Sequence, residues 1–193
     1  RYFYLTPDPK PSLIEFPLNV KKLDSLLIKP TFLPTNLISP HQMNFAFVNI
    51  FTQANTVAGG NFDKLFVPFR CVASDIYGKE AIVFSKGVLG DAIRASMTYP
   101  FVYKPITIDG KLLFDGGIYN NFPVNVMRDE FKPDYIIGSN VSIPPKKPDE
   151  SDLIQQIMNM VMTKVDFSIA KEEGLLLDFN LDKYPGFDFS KVD

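Results

Sequence analysis

Prolines crowd the start of this chain and restrict the regular structure that can form there. Seven of its 16 prolines lie within the first 40 residues. Each proline fixes its own φ angle and removes a backbone hydrogen-bond donor, so helices and central strands are hard to build around it. Short apolar runs lie between these prolines, at residues 13–16 and 26–28. We therefore interpret residues 1–42 as an extended arm and residues 43–193 as the folded unit on which it packs.

Helices are predicted in four stretches of the remaining chain: residues 43–57, 91–97, 123–130 and 154–165. The first has apolar residues at helical spacing and is followed by Gly59 and Gly60, where a helix should stop. The third begins at Pro123, whose missing N–H would be unpaired in a first turn anyway. The fourth is an amphipathic, methionine-rich stripe behind the candidate caps Asp149 and Ser151. Such a stripe is typical of a core, with lipid contact as the less favoured alternative.

Strands are predicted where Phe, Val and Ile concentrate: residues 65–73, 81–84, 106–108, 111–114 and 135–141. The first two are joined through Tyr77 and Gly78. Asp109 and Gly110 separate the next two, and Asp-Gly between apolar runs is a strong hairpin signal. The last stretch resembles a buried strand. The order strand, helix, strand indicates an α/β fold.

Composition excludes several classes of function. The chain holds 20 Lys and Arg against 22 Asp and Glu, which leaves no excess of cations for a nucleic acid. With Cys71 and His41 as its only cysteine and histidine, it contains no spacing typical of a structural zinc site. No apolar run approaches the roughly 18 residues of a membrane span. We expect neither a metal nor a cofactor.

The usual motifs of nucleophilic and nucleotide-binding sites are absent from the sequence. No serine lies within Gly-x-Ser-x-Gly, and neither a Walker loop nor GxGxxG occurs. Four serines lie near predicted element ends: Ser74, Ser85, Ser96 and Ser139. We expect His41 and Asp75 to be structural, Asp75 as a turn carboxylate. Arg94 is expected to order a loop or to pair with Asp75 or Asp91.

Asp115, Gly116 and Gly117 form the one candidate site in this sequence. The aspartate ends a predicted strand, and the glycines allow another backbone or a ligand to approach closely. From the residues alone, an ordinary turn is the favoured interpretation. The surrounding motifs favour a functional one.

The sequence resembles the patatin-like phospholipases through motifs that occur in the family's order. They are residues 67–75, 83–87, 91–97, 109–117 running into 120–124, and 134–142. Residues 33–39 and the tail after Lys146 are similar to bacterial members that carry further domains. The resemblance implies a three-layer α/β/α fold and a Ser-Asp dyad without histidine. It places the dyad aspartate at Asp115, beside the backbone turn of Gly116 and Gly117.

In that family the serine elbow and a glycine-rich oxyanion loop precede the region seen here, and neither motif occurs in this chain. We therefore expect an incomplete patatin-like fold that lacks the strand–elbow–helix unit. The chain begins with Arg1 rather than Met, which fits the carboxy-terminal part of a hydrolase domain. This fragment alone is expected to be inactive.

Two hypotheses follow from the resemblance. In the first, the chain is part of a serine lipid acyl hydrolase acting on phospholipids or similar acyl esters. In the second, it is a catalytically inactive patatin-like module that binds a lipid surface or a protein. Uncovered sheet edges would favour self-association or a complementary N-terminal segment. The resemblance favours the bacterial envelope over the cytoplasm.

Overall fold

The computed structural model describes residue 36, residues 38–142 and residues 149–179. Within these ranges helices alternate with strands, so the chain has the predicted α/β fold. Most of the proposed arm, residues 1–35 and 37, lies outside the described residues. The remaining part of it runs directly into the first helix.

The larger sheet has four strands: β1 (Cys71–Asp75), β2 (Glu80–Phe84), β3 (Ile106–Ile108) and β4 (Lys111–Asp115). Their order is β2-β1-β4-β3, and every neighbouring pair is antiparallel. A separate parallel pair joins β5 (Ile136–Asn140) to β6 (Gly174–Asp178). The predicted strand at residues 65–73 was partly wrong, because strand structure begins only at Cys71 and a short 3-10 helix, Phe62–Lys64, precedes it.

Two local hairpins build the larger sheet. β1 and β2 turn back through the predicted Tyr77 and Gly78, with Asp75 opposite Glu80. β3 and β4 are joined by Asp109 and Gly110, whose φ angles of 51° and 77° are both positive. Two positive φ angles define the two-residue turn that matches the twist of a hairpin, and Asp-Gly tolerates them best. The hairpin predicted from Asp-Gly is therefore confirmed.

Four α-helices complete the described structure: α1 (His41–Val57), α2 (Leu89–Ser96), α3 (Val124–Val126) and α4 (Leu153–Val161). A π-helical turn, Met127–Phe131, continues α3, so the helix predicted from Pro123 is confirmed in outline. α1 ends at Val57 and is capped by Ala58, and Gly59 and Gly60 follow with positive φ angles, as predicted.

The predicted details of α4 and β5 need correction. α4 stops at Val161, short of the predicted residue 165, and its cap is Asp152, whose side chain accepts from the backbone N–H of Gln155. Asp149 instead binds Ser151 before the helix. β5 is not buried on both faces, because Ile137 remains 68% exposed. Among the described residues, β5 pairs only with β6 and does not lie in the middle of a larger sheet.

The main core lies where α2 packs across the larger sheet. Ala95 of α2 meets Ala73 of β1 and Leu113 of β4, all nearly inaccessible to water. A second cluster joins Phe62 to Leu89 and Ala92 of α2. α2 therefore connects the sheet to the segment before β1.

Replacing Leu113 by alanine should lower the free energy of unfolding by about 2–5 kcal/mol, because it removes a buried side chain and leaves a cavity. Leu113 is 1% exposed, whereas its neighbour Leu112 is 47% exposed on the other face of β4. Leu112→Ala is the matched control and should cost much less. Urea unfolding of both variants tests this, and equal losses would contradict the burial pattern.

Candidate active site

Asp115 is the last residue of β4 and is held through its backbone on two sides. It lies opposite Ala73 of β1 in the sheet register. Its own N–H donates to the carbonyl oxygen of Thr98, the second residue after α2, at 2.9 Å. Thr98 is fully buried, and its hydroxyl donates to the carbonyl of Arg94 at 2.7 Å. The position of Asp115 is thus fixed by the sheet and by the end of α2 together.

The carboxylate of Asp115 caps the short 3-10 helix Gly116–Ile118. Its Oδ1 accepts a hydrogen bond from the backbone N–H of Gly117 at 2.7 Å. Burial raises the pKa of Asp115 above its ordinary value, and the Gly117 N–H opposes this rise only in part. Burial has this effect because a low-dielectric surrounding disfavours the charged form. A carboxylate with a raised pKa is a stronger base than an exposed one.

Gly116 and Gly117 are required by the close packing of this turn. A Cβ on Gly116 would lie 2.2 Å from the carbonyl oxygen of Val72. A Cβ on Gly117 would lie 2.8 Å from Oδ1 of Asn121 and 3.1 Å from Oδ1 of Asp115. Side chains at either position would push the turn away from β1 or displace the carboxylate. Both glycines therefore let the turn approach β1 and Asp115 closely.

Asn121 and Tyr99 lie near Asp115, and sequence reasoning did not single them out. The Oδ1 atoms of Asn121 and Asp115 are at most about 6 Å apart, since both lie so close to the Cβ position of Gly117. Burial raises the pKa of Tyr99, and the negative charge of Asp115 raises it further. Asn121 belongs to the motif that carried the resemblance, which was the available signal for it. No sequence signal pointed to Tyr99 beyond its position before Pro100.

The described serines do not supply a partner for Asp115. Ser74 is on the neighbouring strand and is fully buried, with no hydrogen-bond partner for its Oγ. It pairs with Phe114 rather than Asp115, so its side chain points to the opposite face of the sheet. Within the described ranges, no serine hydroxyl donates to the Asp115 carboxylate.

The other singled-out residues have structural positions. Asp75 accepts from the N–H groups of Tyr77 and Gly78, each at 3.0 Å, as expected of a turn carboxylate. His41 is the exposed first residue of α1. Arg94 orders a loop by donating from Nη2 to the carbonyl of Lys104 at 2.7 Å, and it forms no ion pair in the described chain.

Replacing Asp75 by asparagine should lower the melting temperature near neutral pH without loss of the turn. The Gly78 N–H, the Lys111 ammonium and the Tyr77 N–H lower the pKa of Asp75. A lowered folded-state pKa gives stability that is present above the ordinary value of 3.8 and is lost as the pH falls through the folded value. Melting temperatures of both proteins between about pH 7 and pH 3 test this. A difference that did not shrink towards acid pH would contradict it.

Neither a metal-binding cluster nor a membrane-spanning helix occurs among the described residues. No three His, Cys, Asp or Glu side chains among them are grouped so that they could hold a metal ion. In the same ranges, no helix has both the length and the apolar character that crossing a bilayer requires.

A carboxylate whose pKa is raised by partial burial can act as a general base. The sequence profile described as patatin-like phospholipase matches residues 11–128, well over half of the chain. The chain therefore belongs to the patatin-like phospholipase family, as its motifs indicated.

Its relatives include proteins of bacteria and animals. An uncharacterised NTE family protein of Mycobacterium bovis is 40% identical over 62 residues, covering 32% of this chain and 17% of the relative. A patatin-like phospholipase domain-containing protein of Caenorhabditis elegans is 30% identical over 105 residues, covering 53% of this chain and 7% of the relative. The chain thus spans less than a fifth of the length of these curated relatives.

Proposed function

We propose that this chain is part of a serine lipid acyl hydrolase, of phospholipase A or esterase type, in which Asp115 is the acid/base of a Ser-Asp dyad. The half-buried Asp115 carboxylate, held by the Gly117 N–H, is the observation that carries the proposal. Its substrate would be a phospholipid or another acyl ester. Because no Gly-x-Ser-x-Gly occurs in this chain, the serine would come from another segment of the whole protein.

In the proposed reaction, Asp115 takes the proton of the serine hydroxyl while the serine oxygen attacks the ester carbonyl. The tetrahedral intermediate collapses to an acyl-serine, and Asp115 returns the proton to the leaving alcohol. Water, deprotonated by the same carboxylate, then attacks the acyl-serine, and Asp115 returns that proton to the serine oxygen as the fatty acid is released. One aspartate can perform these transfers because burial makes it a stronger base.

The rate of phospholipid hydrolysis by the whole protein should fall at acid pH with a midpoint above 3.8, the ordinary pKa of aspartate. The reason is that the raised pKa of Asp115 sets the pH below which the base is protonated. The measurement is kcat/KM against pH, together with labelling by a fluorophosphonate that reacts with active serines. A rate that stayed constant below the ordinary aspartate pKa, or the absence of any serine labelling, would overturn the proposal.

Exposed apolar side chains on α1 favour a second candidate, a binding module without catalysis. Phe45, Val48, Ile50 and Val57 are each more than half exposed on this helix. Contact with a membrane surface would cover those that lie on one side of the helix. Co-sedimentation of the chain with phosphatidylcholine and phosphatidylglycerol liposomes tests this, and binding by a protein that showed neither hydrolysis nor serine labelling would favour the second candidate.

A further inference from the structure

A groove of about 420 Å³ runs between α1 and the beginning of α2, away from Asp115. The two helices are joined there by a hydrogen bond from the Leu89 N–H to Oδ1 of Asn55, and Gly90 lies beside Phe47. Phe47, Val48 and Phe51 of α1 and Val88 before α2 supply apolar walls. The lining runs from Asn44 to Asn55, roughly 16 Å along a helix. The groove is therefore long and largely apolar.

Two polar atoms of residues that line this groove lack partners. Oδ1 of Asn44 and Nε of Arg94 are both buried and make no hydrogen bond. Such groups are rarely left unpaired in folded proteins, since each costs about 1–3 kcal/mol. One is an acceptor and the other a charged donor, so a polar group that both accepts and donates would complete the site.

Arg94 also brings a buried positive charge that forms no ion pair within the described residues. It is only 7% exposed, and within the described residues no carboxylate lies within ion-pair distance of it. Burial lowers the pKa of Arg94 and the charge of Asp91, which also lines the groove, opposes this, but Asp91 is exposed and forms no ion pair with Arg94. A buried cation without a partner is unfavourable, and a bound anion would offset this cost. The ligand is expected to bring a negative charge to Arg94.

We propose that this groove binds a long-chain fatty acid, with the carboxylate at Nε of Arg94 and the hydrocarbon chain along Phe47, Val48 and Phe51. A compact anion would leave the apolar walls uncovered, and a neutral chain would leave Arg94 without an ion-pair partner. A fatty acid satisfies both requirements. A water molecule bridging the carboxylate to Asn44 supplies the donor that its Oδ1 lacks.

The proposal is tested by titrating the chain with oleate, below its micelle concentration, in a calorimeter. One oleate should bind per chain, and oleyl alcohol, which has the same hydrocarbon chain without the charge, should bind at least tenfold more weakly. Arg94→Met should weaken oleate binding about tenfold to a hundredfold, as expected for a lost charge-assisted hydrogen bond. Lys64→Met removes an equal charge from an exposed position outside the groove and should leave binding unchanged.

Asn44→Asp supplies an independent variant in case Arg94→Met does not fold. It places a carboxylate in the first turns of α1, where negative charge favours a helix, and should prevent oleate binding by repulsion. Absence of oleate binding, equal affinity for oleyl alcohol, or undiminished binding by Asn44→Asp would each overturn the proposal. Because the measurement is binding rather than hydrolysis, its failure leaves the proposal for Asp115 intact.

Discussion

Replacing Asp115 by asparagine in the whole protein is expected to lower ester turnover by about 10²–10⁴-fold, the usual contribution of a general base. The protein should remain folded, because the asparagine carbonyl oxygen can still accept from the Gly117 N–H. The raised pKa also means that ionised Asp115 destabilises the folded state once the pH exceeds its ordinary pKa. Asparagine carries no charge, so the free energy of unfolding at neutral pH should be unchanged or slightly higher.

Asp109→Asn is the matched control for this experiment. It makes the same chemical change in the β3–β4 turn, where φ is 51° and asparagine is well tolerated. Turnover should stay at the wild-type rate. Near-wild-type turnover by Asp115→Asn, measured with a phospholipid and a short-chain ester, would contradict the assignment of Asp115 as the base.

Gly116→Ala is expected to have the largest effect on stability, a loss of more than about 3 kcal/mol or a failure to fold. Its Cβ would lie 2.2 Å from the carbonyl oxygen of Val72, an atom of the β1 backbone that cannot rotate away. This steric clash can be relieved only if the turn separates from β1. Chemical unfolding of the variant, followed by circular dichroism, measures the loss.

Gly90→Ala is the control with the opposite expected sign. A Cβ there would be 3.5 Å from Cβ of Phe47, an ordinary contact, and the position lies within α2. Replacing a helical glycine by alanine stabilises by up to about 1 kcal/mol. A Gly116→Ala protein as stable as Gly90→Ala would show that the turn is not packed against β1 as described.

The local elements of the fold could be predicted because their signals are contained in neighbouring residues. Asp109 and Gly110 specify a turn whose φ angles few other pairs accept. Gly59 and Gly60 mark the end of α1 in the same way. Conformations that are determined by a few neighbouring residues can be predicted from the sequence.

Boundaries that depend on tertiary packing could not be predicted. Residues 65–70 have strand composition but find no strand partner, and pairing begins only at Cys71. The apolar period of α4 continues past Val161, yet the helix ends there. Exposure of Ile137 could not be predicted either, since it depends on how many strands flank β5.

Asp115 itself was identified through the resemblance rather than through its own neighbours in sequence. Its burial and the bond from its N–H to Thr98 arise from contacts between distant segments. The same is true of the effect of its charge on Tyr99. The sequence could therefore predict which carboxylate is the candidate base, whereas the rise in its pKa could be seen only in the structure.

The pairing of β1 with β4 has a consequence for how the domain folds. Each of the two hairpins closes a short loop, which costs little entropy and is fast. Joining Ala73 to Asp115 closes a much longer loop between the finished hairpins. We therefore expect Asp115 to reach its buried position late, when the hairpins dock and α2 covers them. Until that docking step, the acid of the proposed dyad is an ordinary, water-exposed aspartate.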